Sequence, residues 1–141
     1  MKTRLYTLLY LLISSIAPLK AHETHILAPC PNKPNCVSSL AKDQKHAIAP
    51  FPIIDSVQLS LDKLVFVIQN LPRTKIIFRD ENYLHAEFTS RIFSFVDDVE
   101  FLANPSKKVI EVRSASRLGY GDLGVNRQRI EDLRALYDTS F

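Results

Sequence analysis

The chain has 141 residues, with eighteen Lys and Arg, fifteen Asp and Glu, two cysteines, three glycines and no tryptophan. Three of the eighteen cations and none of the acids fall in the first twenty-one residues, so the remainder carries fifteen of each sign and is neutral. That length holds one domain, and its neutrality offers no bulk charge with which to hold nucleic acid or a polyanionic membrane.

Residues 1–21, MKTRLYTLLYLLISSIAPLKA, place Lys2 and Arg4 before an apolar run from Leu5 to Ile16 and end on small residues. This is the pattern of a secretory signal peptide, with cleavage expected after Ala21. The apolar centre is short for a membrane span; a leader kept as an anchor is the alternative. No other apolar run is long enough to cross a bilayer, so no span is expected after cleavage, and the mature protein is expected in the periplasm or secreted. Leu27-Ala28-Pro29-Cys30 resembles a lipoprotein cleavage site only superficially, because Pro29 precedes the cysteine and the apolar run lies far upstream.

From His22 to Pro52 the sequence is rich in proline, asparagine and lysine and lacks periodicity, which predicts an extended arm. Cys30 and Cys36 sit in CPNKPNC. In an exported chain a close pair reads as a disulfide, and the prolines and asparagines favour the turn that closes it. A metal site is the weaker alternative, there being no second pair. His22 and His25, in HETH, are read as flexible and exposed.

Residues 53–141 are expected to form one α+β domain. Ser56 is a plausible N-cap; Val57, Leu61, Leu64, Val65, Ile68 and Leu71 recur at helical spacing, and Pro72 closes the run, predicting a helix over 57–70. Thr74–Arg79 is a β-branched and aromatic run followed by a turn at Asp80, Glu81 and Asn82. From Tyr83 to Ile92, apolar and polar residues alternate at the period of a strand. Phe95–Leu102 and Val109–Ser116 make two more strands, joined through Asn104–Lys107. Short connections imply an antiparallel meander of four strands.

The last block, RSASRLGYGDLGVNRQR at 113–129, holds all three glycines, at 119, 121 and 124. It joins the last strand to a second helix, predicted over Val125–Tyr137 with Ile130, Leu133, Leu136 and Tyr137 inward. Arg127 with Glu131 and Arg134 with Asp138 are read as i,i+4 pairs on its solvated side. The fold expected is a two-layer α+β sandwich, a four-stranded sheet with both helices packed on one face and the arm pinned by its disulfide.

A meander brings Ser90, Arg91, Asp97, Asp98, Ser114, Ser116 and Arg117 to one edge of the sheet, beside the loop 118–124. Asp97 and Asp98 are adjacent in a strand, so they face opposite ways and cannot share a proton. Asp97 shares the core side with Phe95, Val99 and Phe101, where a carboxylate needs a partner; bracing the glycine loop is the structural reading, general-base catalysis the other. Asp98 falls with Glu87, Glu100, Arg91, Arg113 and His85, either as a solvated ladder or as a surface where arginines grip a carboxylate. Arg113, Arg117, Arg127 and Arg129 beside a helix start resemble an anion site; Asp122 alternatively caps the helix. GYGDLG is neither a P-loop nor a dinucleotide fingerprint, and no cofactor, metal site or nucleophile–base pair is evident.

The blocks CPNKPNCVSS at 30–39, FVDDVEF at 95–101 and RSASRLGYGDLGVNRQRIEDLR at 113–134 resemble the signature blocks of the domain-of-unknown-function 1499 family over nearly the whole mature chain. The resemblance implies a family and a fold but no reaction. It also implies frequent export or membrane association, and its matching polar residues here are Cys30, Cys36, Ser38, Asp97, Asp98, Arg113, Ser114, Ser116, Arg117, Tyr120, Asp122, Asn126 and Arg127. The expected function is a non-enzymatic envelope protein binding an anionic or carboxylate-bearing small ligand, or an envelope partner. Its site would be Arg91, Asp98, Arg113, Ser114, Ser116, Arg117, Tyr120, Asp122, Asn126 and Arg127. The alternatives are a hydrolase of an envelope substrate, with Asp97 or Asp98 as base, and a purely structural or interaction domain.

Overall fold

A computed structural model describes residues 24–140. The leader, its cleavage after Ala21, and His22 lie outside the described residues. Where the sequence carried strong periodic signals, the elements follow them. Helix α1 (Val57–Gln69) begins at Ser56, whose hydroxyl accepts the Leu59 amide at 3.1 Å and so satisfies a donor that a first turn leaves open. Strands β3 (Thr74–Arg79), β4 (Tyr83–Thr89), β5 (Val96–Asn104) and β6 (Val109–Ser116) form the antiparallel meander, and α2 (Val125–Thr139) follows. Strand β4 stops at Thr89 rather than Ile92, because Ser90 closes the next turn, its amide donating to the Phe95 carbonyl and its hydroxyl accepting the Phe95 amide.

The sheet has six strands, not four. Two pieces of the arm, β1 (Cys36–Ser38) and β2 (Phe51–Pro52), pair antiparallel with β6, placing Val37 opposite Ser114 and Phe51 opposite Ile110. The order is β1-β6-β5-β4-β3, with β2 also on β6. The cause is the outer edge of β6, whose unpaired amides and carbonyls need partners; three- and two-residue segments suffice, yet are too short to display a period.

The arm is held along its length. Arg127 donates to the carbonyls of Ala47 (2.8 Å) and Lys45 (3.0 Å), and Arg134 to those of Pro50 (2.8 Å) and Ala49 (2.6 Å). This corrects the expectation of a solvated ion-pair face: Arg134 does meet Glu131, at 3.0 Å, but each guanidinium serves two arm carbonyls at once. His25 is likewise not flexible; it stacks on Tyr83 with ring centroids 4.1 Å apart and bonds Asp80 at 2.8 Å. Since Cys36 pairs on β6, the chain passes from the β3–β4 side of the sheet to its opposite edge within eleven residues.

One apolar cluster joins Leu61, Leu64, Val67 and Ile68 of α1, Leu84, Ala86 and Phe88 of β4, Val99 and Phe101 of β5, Ile110 and Val112 of β6, and Ile130, Leu133 and Tyr137 of α2. The arm contributes Phe51, edge-on to both Phe101 and Tyr137. Leu136, expected inward, is 41% exposed. No helix among the described residues is long and apolar enough to cross a membrane.

Cys30 and Cys36 form the disulfide, six residues apart in sequence. Replacing both by serine is expected to lower the unfolding free energy by about 2 kcal/mol, the chain-entropy value for so short a loop, read as a lower urea midpoint.

Candidate functional site

Period-two geometry splits the two aspartates at the start of β5, and a separate polar network forms around each. On the core side Asp97 is buried, and it accepts from Arg129 Nη2 at 2.5 Å. Arg129 lies one turn into α2 and also reaches Asn126 Oδ1 at 2.7 Å and Ser114 Oγ at 3.2 Å, its guanidinium lying 5.1 Å from the Phe88 ring centroid.

Asn126 is the hub of this network and is fully buried. Its carbonyl oxygen accepts the Ser114 hydroxyl at 2.5 Å; its amide faces Ser116 Oγ at 2.9 Å, the Asn35 carbonyl at 3.2 Å and Asp122 Oδ2 at 2.7 Å. Asp122 also accepts the backbone amides of Gly124 (2.8 Å) and Asn126 (3.0 Å), so it caps α2 from outside the helix. That leaves Gly124 at φ 81° and Gly119 at φ 87°, conformations open chiefly to glycine. The glycine loop is therefore shaped by the bonds of its neighbours.

The alternate residues of the strands lie on the other sheet face. Glu87 and Asp98 stand directly opposite each other on β4 and β5, a repulsive pairing if left alone. Arg117, just past β6, resolves it: its Nε and Nη2 bond Asp98 at 2.7 Å each, and Nη2 bonds Glu87 at 2.5 Å. His85 bonds the same Asp98 at 2.8 Å. The Arg117 hydrogen bonds hold the Asp98 carboxyl below its ordinary range, outweighing the opposing effect of burial. The next row repeats the scheme, with Arg113 on Glu100 at 3.1 Å and the Tyr83 hydroxyl on Glu100 at 2.7 Å. Desolvation, then Glu100, pushes the Tyr83 phenol up.

Arg117→Ala is expected to destabilise the protein at pH 7. Because Asp98 is depressed in the folded state, its stabilisation is complete above the ordinary carboxylate pKa and lost as pH falls through the folded value. The gap between wild type and variant should thus be widest at neutral pH and shrink as pH falls through that depressed value, as read by thermal unfolding at a series of pH values.

Of the residues expected at the site, Ser114, Ser116, Asp122 and Asn126 meet in the core-side network, and Asp98, Arg113 and Arg117 on the other face. Arg127 turns away to the arm, while Arg91 and Tyr120 are exposed. Sequence reasoning missed Asn35, which ties the arm to the glycine loop through the Gly119 carbonyl; it did not name Arg129 as the partner of Asp97. The signal for Arg129 was its place one turn into α2, three residues after Asn126, on the same face. A cavity of about 160 Å³ opens beside the helix start, lined by Pro34, Cys36, Val37, Lys45, Asp122, Gly124 and Arg127. Among the described residues no cluster of three His, Cys, Asp or Glu side chains could hold a metal ion.

Comparison with curated proteins gives no match. A family model, described as a protein of unknown function (DUF1499), matches residues 26–136. That span takes in the disulfide, both strands of the arm, the Asp97 and Asp98 networks and the glycine loop, and on it the chain belongs to the DUF1499 family.

Proposed function

We propose that this protein is a non-enzymatic module of the cell envelope that works by contact with a partner surface. The reading takes the fold as a two-layer sandwich and the leader as a signal peptide, with the disulfide suited to an oxidising compartment. One observation carries it. Asp97, Asp98, Arg113, Arg117, Asp122 and Asn126 all have internal partners, whereas the loops beside them expose large apolar side chains. Chemistry that is already satisfied holds a scaffold; uncovered apolar surface marks a contact.

A general-base role suits neither aspartate. Asp98 is held ionised by an arginine and has its carboxyl lowered, the opposite of the raised value a base working near neutrality uses, and Asp97 is closed off by Arg129. A small-ligand reading has the cavity at Lys45, Gly124 and Arg127 in its favour, although Arg127 already serves two carbonyls.

The test is a thermal-shift screen of the oxidised full chain against phosphate, carboxylates, sugars and cell-wall fragments. The expected result is no stabilisation by any of them. A stabilising compound whose effect disappears in a folded Lys45→Ala variant would overturn this reading in favour of the cavity.

A further inference from the structure

The end of the sheet that carries the glycine loop also carries the β4–β5 turn, since the Arg117 amide donates to the Val96 carbonyl and Asp97 stands opposite Ser116. Both loops project large apolar residues into solvent. Ile92 and Phe93 are 80% and 72% exposed, Leu118 and Tyr120 68% and 69%, and Leu123 is wholly exposed. Phe93 stacks on Phe95 with ring centroids 5.5 Å apart. Two polar side chains at the bases of these loops are used internally: Ser90 closes its own turn and Asp122 caps α2. The sequence therefore presents apolar tips on hydrogen-bonded stems.

We infer that these two loop tips insert into the interfacial zone of an anionic lipid bilayer, docking the domain on a membrane surface. The inference rests on the partner-surface reading above and names the partner. Three observations favour lipid over protein. The side chains stand on two separate loops, an arrangement that a fluid receives without a complementary pocket. Tyrosine, an apolar ring with a polar tip, suits a zone that is apolar on one side and wet on the other, and Ile92, Phe93, Leu118 and Leu123 supply the apolar area to be buried. The exposed cations Arg73, Arg91 and Lys33 lie at the same end: the Arg73 carbonyl accepts the Thr89 amide, Arg91 is in the turn, and Lys33 adjoins Pro34, which bonds the glycine loop. The neighbouring acids Glu87, Asp97, Asp98 and Asp122 are all engaged internally. Since the chain outside the leader is neutral, attraction is local to this rim, and insertion of the apolar tips supplies the rest.

The chain has no tryptophan, so a single one reports its own surroundings. Phe93→Trp and Tyr120→Trp probe the two loops; Leu59→Trp, exposed near the start of α1, is the control. Each full-length variant is mixed with vesicles of phosphatidylcholine and phosphatidylglycerol containing brominated acyl chains. Both loop probes should shift to the blue and be quenched at least about threefold more than the control, and less so in purely zwitterionic vesicles. The control makes the result independent of any anchoring by the leader. Loop probes quenched no more than Leu59→Trp in any vesicle overturn the inference. In that case a photo-crosslinker at Phe93 separates the two levels of the argument. A discrete crosslinked envelope protein keeps the partner-surface reading with a protein partner, and no crosslink removes that reading as well.

Discussion

Arg129→Met is expected to destabilise the protein by about 3–5 kcal/mol, the cost of removing one member of a buried ion pair. The arginine and Asp97 side chains are 11% and 7% exposed, so deleting the guanidinium strands a carboxylate away from water. It also removes donors to Asn126 and Ser114 and the stacking on Phe88. Urea unfolding should show a much lower midpoint at a similar slope. The double variant Asp97→Leu/Arg129→Met is expected to recover part of the loss, because an apolar pair in such a position has no charge left to desolvate. A loss below about 0.5 kcal/mol in the single variant would place it among ordinary surface substitutions and refute the assignment of Arg129 as the counter-charge of Asp97.

That arginine marks the limit of what the sequence disclosed. The strand β6 and the start of α2 were legible because the run from Val109 to Ser116 ends at a glycine-rich break and helical spacing resumes at Val125. Period two alone also put Asp97 and Asp98 on opposite faces. Partners distant in sequence were not legible. Local spacing assigns Arg127 to Glu131, but the carbonyls of Lys45 and Ala47, about eighty residues away, hold it instead. The same holds for β1 and β2, where the edge of β6 recruits segments with no pattern of their own. Ser114, Ser116, Asp122 and Asn126 of one network and Asp98, Arg113 and Arg117 of the other were thus identifiable as polar residues of the family blocks, whereas Asn35 was not. Their grouping into two closed networks depended on which carbonyls and edges the rest of the fold left unpaired.

Asn126→Ala is expected to cost about 3 kcal/mol, since it strands several buried polar groups together and not one. Ser114, Ser116, Asn35, Asp122 and Arg129 all address this single amide, so three chain segments lose their common junction. Asn126→Asp separates shape from hydrogen bonding: it keeps the size, removes the two amide protons and sets a carboxylate beside Asp122. The carboxylate still accepts from Ser114 and Arg129 but faces Ser116, the Asn35 carbonyl and Asp122 with no proton to donate, so Asn126→Asp is expected to remain destabilised at pH 7 in urea unfolding. Because Asp122 also fixes the amides of Gly124 and Asn126, hydrogen exchange at Gly124 should accelerate more than exchange at Leu133 in the middle of α2. Uniform acceleration along the helix would show that Asn126 stabilises the domain as a whole. Selective acceleration would show that it holds the glycine loop in place, and with it the projection of Tyr120 and Leu123.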